Sequence, residues 1–96
     1  MNENMSELFK ILSDSNRLRI IELLLKGETC GCTLIDKLTI TQPTLSYHLN
    51  YLVETGLATR KRVGNKIEHS INRSKLESII DYINHLLSTD DKSCKI

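Results

Sequence analysis

The chain has no tryptophan, one phenylalanine and three tyrosines, so aromatic residues make up only 4% of its 96 positions. Its core must therefore be aliphatic. There is a single proline, Pro43, which leaves helices elsewhere uninterrupted. No apolar run approaches the roughly 18 residues of a membrane span, and MNENMSELFK has no apolar signal centre. These absences lead to the expectation of a soluble, cytoplasmic protein. Cysteine is scarce and odd in number: Cys30, Cys32 and Cys94. Without a secretory leader, that usage argues against a disulfide scaffold and for reduced, available thiols. Repeats, low-complexity runs and linkers are also missing, so residues 1–96 read as one domain, with about 89–96 as a flexible C-terminal tail.

What is there is a globular composition, 40% apolar. A chain this short builds a modest core and gains from burying surface against a partner. Net charge is only +1, but it is unevenly spread: between Thr59 and Lys75 stand six bases against one acid, Glu68. A basic strip on a nearly neutral chain suits a polyanion.

Periodicity divides the chain. Met5, Leu8, Phe9 and Leu12 predict a first helix over about Ser6–Leu12. Ser13-Asp14 offers caps for a second helix, apolar nearly all round, that Gly27 closes. Thr29 or Cys30 can cap a short third helix ending near Leu38, with Leu34, Ile35 and Leu38 on its buried side. After a tight break at Thr39-Ile40-Thr41, Thr41 caps a fourth helix, with Pro43 in its first turn and Gly56 at its end. Leu57–Val63 reads as extended. Gly64-Asn65 marks a turn, and Ile67, His69 and Ile71 alternate on the return, with His69 structural. Ser74-Lys75-Leu76-Glu77 has the form of a capping box for a last helix with a wide apolar stripe from Leu76 to Leu87.

Two short helices joined by a tight turn, then a basic hairpin, make a winged helix-turn-helix: mainly α, with a small β-hairpin wing. In that geometry the fourth helix enters the major groove of DNA. Its exposed start carries Gln42, Thr44, Ser46, Tyr47 and His48, which can donate or accept at base edges and phosphates. Arg60, Lys61, Arg62 and Lys66 on the hairpin would meet flanking phosphates or the minor groove.

Cys30-Gly31-Cys32 stands where the third helix begins. Helical positions two apart point about 200° away from each other. Two thiolates on one ion must come within roughly 4 Å, since metal–sulfur bonds are near 2.3 Å. A regular helix forbids that; a frayed or unwound first turn allows it, and Gly31 lowers the cost. A helix N-terminus lowers thiol pKa, although Glu28 opposes it. Because the third helix supports the fourth, remaking its first turn should disturb DNA binding, making ion and operator mutually antagonistic.

The segments DSNRLRIIELLLKGETCGC and TQPTLSYHLNYLVETGLATRKRVGNKIEHSIN resemble the ArsR/SmtB metalloregulatory repressors, in particular the arsenic-responsive branch. The resemblance runs from about Leu8 to Ile83. It implies a homodimer joined through the first and last helices, bound to double-stranded operator DNA and released by As(III) or Sb(III), with no cofactor needed for DNA binding. Cys30 and Cys32 are the implied ligands. In the best-known arsenic pattern a third cysteine follows three residues after the second; here that position is Ile35, which leaves Cys94 or a small cellular thiol. The added N-terminal cysteines of cadmium and lead sensors are absent. So are the Asp-x-His and His-x-x-Glu/His pairs of zinc sensors, since the chain has Asp81-Tyr82-Ile83 and His85-Leu86-Leu87-Ser88. Asp81 and His85 read as a surface pair.

One rival on the same fold is a thiol redox or persulfide sensor, with Cys30 oxidised and resolved by Cys32 or Cys94. A direct CxC disulfide closes a strained small ring, which counts against the first pairing. Another rival is an architectural DNA-binding protein with inert cysteines. A thiol-dependent enzyme needs an activated cysteine, a base and a pocket. No histidine or aspartate is motif-linked to the cysteines, and an enzyme has no use for a basic wing.

Overall fold

The computed structural model describes residues 2–88. Five helices and one hairpin follow in the order α1 (Asn2–Leu12), α2 (Ser15–Leu25), α3 (Gly31–Asp36), α4 (Gln42–Glu54), β1 (Ala58–Val63), β2 (Lys66–Ile71) and α5 (Arg73–Ser88). α1 packs on α2 and α5, α3 on α4, and the hairpin lies against α2 and α4. Ile11, Ile20, Leu34, Leu45, Leu52 and Leu57 are fully buried, so each of α1 to α4 and the lead into β1 contributes to one aliphatic core.

The helix ends follow local chemistry. The Asp14 carboxylate accepts from the N–H groups of Asn16 and Arg17, at 2.8 and 3.2 Å, and opens α2. Thr41 Oγ1 accepts from the Thr44 N–H at the start of α4, and Pro43 sits in that first turn. Gly56, at φ +86, ends α4: its N–H reaches Val53 O and the Leu57 N–H reaches Leu52 O. A side chain would disfavour that left-handed turn, which swings the chain from α4 into β1.

β1 and β2 pair antiparallel with Val63 opposite Lys66, leaving Gly64-Asn65 as a two-residue loop. Gly64 has φ +63, the sign such tight loops need. The register puts Arg60 opposite His69, Arg62 opposite Ile67 and Lys61 opposite Glu68. Paired residues share a face. Arg60 and Arg62 thus lie on the side of Ile67, His69 and Ile71, while Lys61 lies on the other with Glu68 and Lys66.

Several boundaries differ from expectation. α1 begins at Asn2, because a polar but helix-compatible first turn carries no apolar periodicity. α2 is central but not buried all round: Leu18 and Leu25 face outward. α3 stops at Asp36, where the Lys37 and Leu38 N–H groups bond to Leu34 and Ile35 carbonyls in tightening turns. The expected capping box is replaced by Asn72, one residue before α5. Its Oδ1 accepts from the Lys75 N–H at 3.3 Å and the Ser74 hydroxyl at 2.9 Å. Its Nδ2 donates to Gly56 O and its N–H to Leu57 O, so it also pins the base of the hairpin to the end of α4.

Only Ile79 of α5 is buried, while Ile80, Ile83, Leu86 and Leu87 stand exposed along its stripe. Phe9 of α1 is partly exposed beside it, its ring 6.1 Å from that of Tyr82.

Candidate DNA interface and sensing turn

α4 presents part of the expected surface. Gln42, Ser46 and Tyr47 are exposed, Tyr47 by 61%. Thr44 is half-buried, and its hydroxyl accepts from Thr41 Oγ1 at 3.0 Å, so it shares its time with the cap. His48 is a correction. It is only 5% exposed, and its side chain turns inward, where Arg17 Nη1 meets its Nδ1 at 3.4 Å. An arginine can only donate, so Nδ1 is the acceptor. His48 is a packing residue and not a reader of base edges.

Lys61, Arg62 and Lys66 are exposed on the hairpin. Arg60 is exposed too, but its guanidinium is engaged: Nε donates to His69 Nε2 at 3.4 Å and Nη2 donates to Asn50 Oδ1 on α4. His69 is 6% exposed, with no hydrogen-bond partner for Nδ1 among the described residues. Burial first, and then the Arg60 charge, hold it below the ordinary histidine pKa of 6.5.

The CxC turn is built differently from a frayed helix. Cys30 lies outside α3 as its N-cap, extended at φ −95 and ψ 136, and its Sγ accepts from the Cys32 N–H at 3.3 Å. That backbone brings the two side chains to one side without unwinding the helix. The Cα atoms are 5.3 Å apart and the sulfurs are joined as a disulfide, where free thiols and no direct CxC bond were expected. Gly31 is not there for want of space, since nothing lies within 4 Å of where a Cβ would stand.

Cys30 is also tied to the hairpin. It forms an isolated antiparallel bridge with Glu68, and Thr29 O accepts from the His69 N–H at 3.0 Å. The CxC turn is therefore tied to β2 by one isolated bridge and one main-chain hydrogen bond. Among the described residues, no group of three Cys, His, Asp or Glu could hold a metal ion. Cys94, the expected third ligand, lies outside the described residues.

The geometry to this point is that of a winged helix-turn-helix. A family model described as "Bacterial regulatory protein, arsR family" matches residues 14–60. An arsenical resistance operon repressor of Staphylococcus aureus is 40% identical over 92 residues, covering 96% of this chain and 88% of that protein. The chain belongs to the ArsR family. As an ArsR-family protein it is a DNA-binding transcriptional regulator and not an enzyme. Among solved structures, an ArsR-like transcriptional regulator from Rhodococcus sp. RHA1 superposes with a TM-score of 0.83 at 22% identity, covering 95% of this chain and 86% of that one. The homodimeric winged helix-turn-helix DNA-binding domain of a possible ArsR-family regulator from Mycobacterium bovis superposes with a TM-score of 0.68 at 22% identity, covering 95% and 89%. No helix among the described residues of this ArsR-family chain is long and apolar enough to cross a membrane.

Sequence reasoning missed Arg17, Asn50 and Asn72. Asn50 was in reach: it follows Ser46 by four residues on the exposed face of α4. Arg17 and Asn72 act through backbone carbonyls of other segments, and nothing in their own neighbourhoods marks that.

Proposed function

We propose that this ArsR-family chain is a cytoplasmic repressor that binds palindromic operator DNA as a homodimer and releases it when trivalent arsenic or antimony binds Cys30 and Cys32. The observation that carries this reading is the convergence of the two sulfurs. Cys30 is extended and Cys32 helical, so both thiolates of the reduced pair can face one soft ion. The name of the staphylococcal relative points to the same inducer class. Cys94 is the candidate third thiolate, since Ile35 occupies the position that supplies one in the best-known pattern.

DNA contacts are assigned to Gln42, Thr44, Ser46 and Tyr47 in the major groove and to Arg60, Lys61, Arg62 and Lys66 on flanking phosphates. The half-sites should lie about 10–10.5 bp, or a multiple, apart. The exposed stripe of α5 and its neighbour Phe9 on α1 form the dimer surface.

Fluorescence anisotropy of a labelled operator, titrated with arsenite in the presence of reductant, tests the reading. Release near one or two ions per dimer is expected, with Cys30→Ser and Cys32→Ser still binding DNA but no longer released. Tight binding that ignores arsenite would overturn it. One observation favours a second reading: the bonded sulfurs suit a thiol redox sensor on the same fold. In that case an oxidant would release the operator and arsenite would not.

A further inference from the structure

The sensing turn and the recognition helix are connected by a route that does not pass through α3. It starts in the main chain at Thr29-Cys30, which is hydrogen-bonded to β2 at Glu68-His69. The His69 ring lies buried directly across the sheet from Arg60 and accepts from its Nε. Arg60 then reaches Asn50 on the exposed face of α4 with its second nitrogen. Three of the links are hydrogen bonds with a defined donor and acceptor, and the ring in the middle is buried.

We propose that His69 is a positioning residue that carries a change at the Cys30–Cys32 turn to the DNA-reading surface, by setting where Arg60 points and how it holds Asn50. The inference rests on the CxC turn being the sensor, but not on which reagent it senses. Cys30 has two structural jobs besides any reagent it binds: its sulfur caps α3 and its main chain is the bridge partner of Glu68. A reagent that bonds both sulfurs constrains the extended backbone that carries Cys30 relative to α3. That backbone is bonded to the strand that bears His69. A shift there is delivered to Arg60, the one wing base tied to α4 among the described residues. Release of DNA would then come from two sides, loss of support under α4 and withdrawal of Arg60.

Three features separate His69 from an ordinary core histidine. Its acceptor nitrogen faces a wing base and not a core group. Its own main-chain N–H holds the sensing turn through Thr29 O. Its other ring nitrogen makes no bond, so the ring is oriented by Arg60 alone among the described residues.

The test compares wild type, His69→Leu, which removes the acceptor, and His69→Gln, whose carbonyl oxygen can replace it. The turn is changed in two ways: with arsenite on the reduced protein, and by closing the disulfide with diamide, which takes up the two electrons and two protons of the thiols. Readouts are operator Kd before and after each treatment, and the NMR shift of the Asn50 side-chain amide in the free protein. Couplings altered along such a network change by about 2- to 30-fold. The ratio of treated to untreated Kd should fall by that much in His69→Leu and be retained in His69→Gln. The Asn50 resonance should respond in wild type and not in His69→Leu. A folded His69→Leu protein with the wild-type ratio would overturn the proposal. If His69→Leu does not fold, Asn50→Ala cuts the same route at its exposed end, and an unchanged ratio there overturns it equally. Insensitivity of wild type to arsenite alongside a response to disulfide closure would refute the arsenite reading and leave the His69 link standing.

Discussion

The guanidinium carbon of Arg17 lies 4.7 Å from the centroid of the Tyr51 ring, joining the first turn of α2 to the last turn of α4. The same side chain covers the end of α1, donating from Nε to Ile11 O at 3.0 Å and from Nη2 to Lys10 O at 3.3 Å. Tyr51 in turn donates from its hydroxyl to the Glu7 carboxylate on α1. Arg17→Ala should therefore destabilise the fold by about 1–3 kcal/mol, since it uncovers two carbonyls and removes a cation from an aromatic face. Arg17→Lys should recover little, because a single ammonium cannot serve α1 and α4 together. Urea unfolding at fixed protein concentration measures both.

α3 has six residues and one fully buried anchor, Leu34. A helix this short has no stability of its own and exists by packing. Leu34→Ala is expected to cost about 2–5 kcal/mol. It should also lower operator affinity, because α3 is packed on α4. Full stability in the variant, measured by thermal unfolding, would show that α3 is held by something else.

Acid should act through Asp14. Partial burial pushes its pKa up, but the backbone N–H groups of Arg17 and Asn16 and the Arg17 charge outweigh this, so the net shift is below the ordinary 3.8. A carboxylate with a depressed folded-state pKa adds stability above its unfolded value and loses it as pH falls through the folded one. Wild type should lose this contribution below about pH 4, as the unfolded-state carboxylate begins to take up protons. Asp14→Asn, which keeps a capping oxygen, should show a shallower acid limb in chemical denaturation from pH 5 to 3. Superimposable limbs would remove Asp14 as the cause.

Affinity and sequence discrimination should separate by position. Lys61→Ala should weaken binding to every DNA sequence and reduce the salt slope of log K by about one unit. Gln42→Ala should cost about 1–3 kcal/mol on the operator and little on unrelated DNA. His48→Gln should leave discrimination untouched, because that side chain is buried away from the groove. Anisotropy titrations at several salt concentrations distinguish the three.

The α5 stripe predicts assembly. Leu87 is 68% exposed and Ile80 and Ile83 stand on the same helix, an apolar surface unusual for a solitary molecule. Ile83→Lys should shift the protein to monomer in sedimentation equilibrium and weaken operator binding with it. A dimer that persists would place the interface elsewhere.

Much of this was readable from residue order. The caps Asp14 and Thr41, Gly56 after α4 and the Gly64-Asn65 loop are local chemistry, and local chemistry is written in sequence. The buried leucines follow from periodicity. What could not be read depended on partners distant in the chain. His48 looked like a groove residue because its neighbours Tyr47 and Ser46 are outward. Yet it follows Leu45 by three residues and precedes Leu52 by four, the spacing of the buried face, and there Arg17, 31 residues earlier, meets it. The cysteine pair was judged by the rules of a regular helix, although Cys30 could itself be the cap, outside those rules. The bridge from Cys30 to β2 has no sequence signal, since one extended residue is too short to leave a pattern.

The bond between Thr29 O and the His69 N–H belongs to the main chain, so it survives almost any change of side chain at either position. Side chains on the CxC turn can therefore be exchanged without dismantling the attachment of that turn to the hairpin.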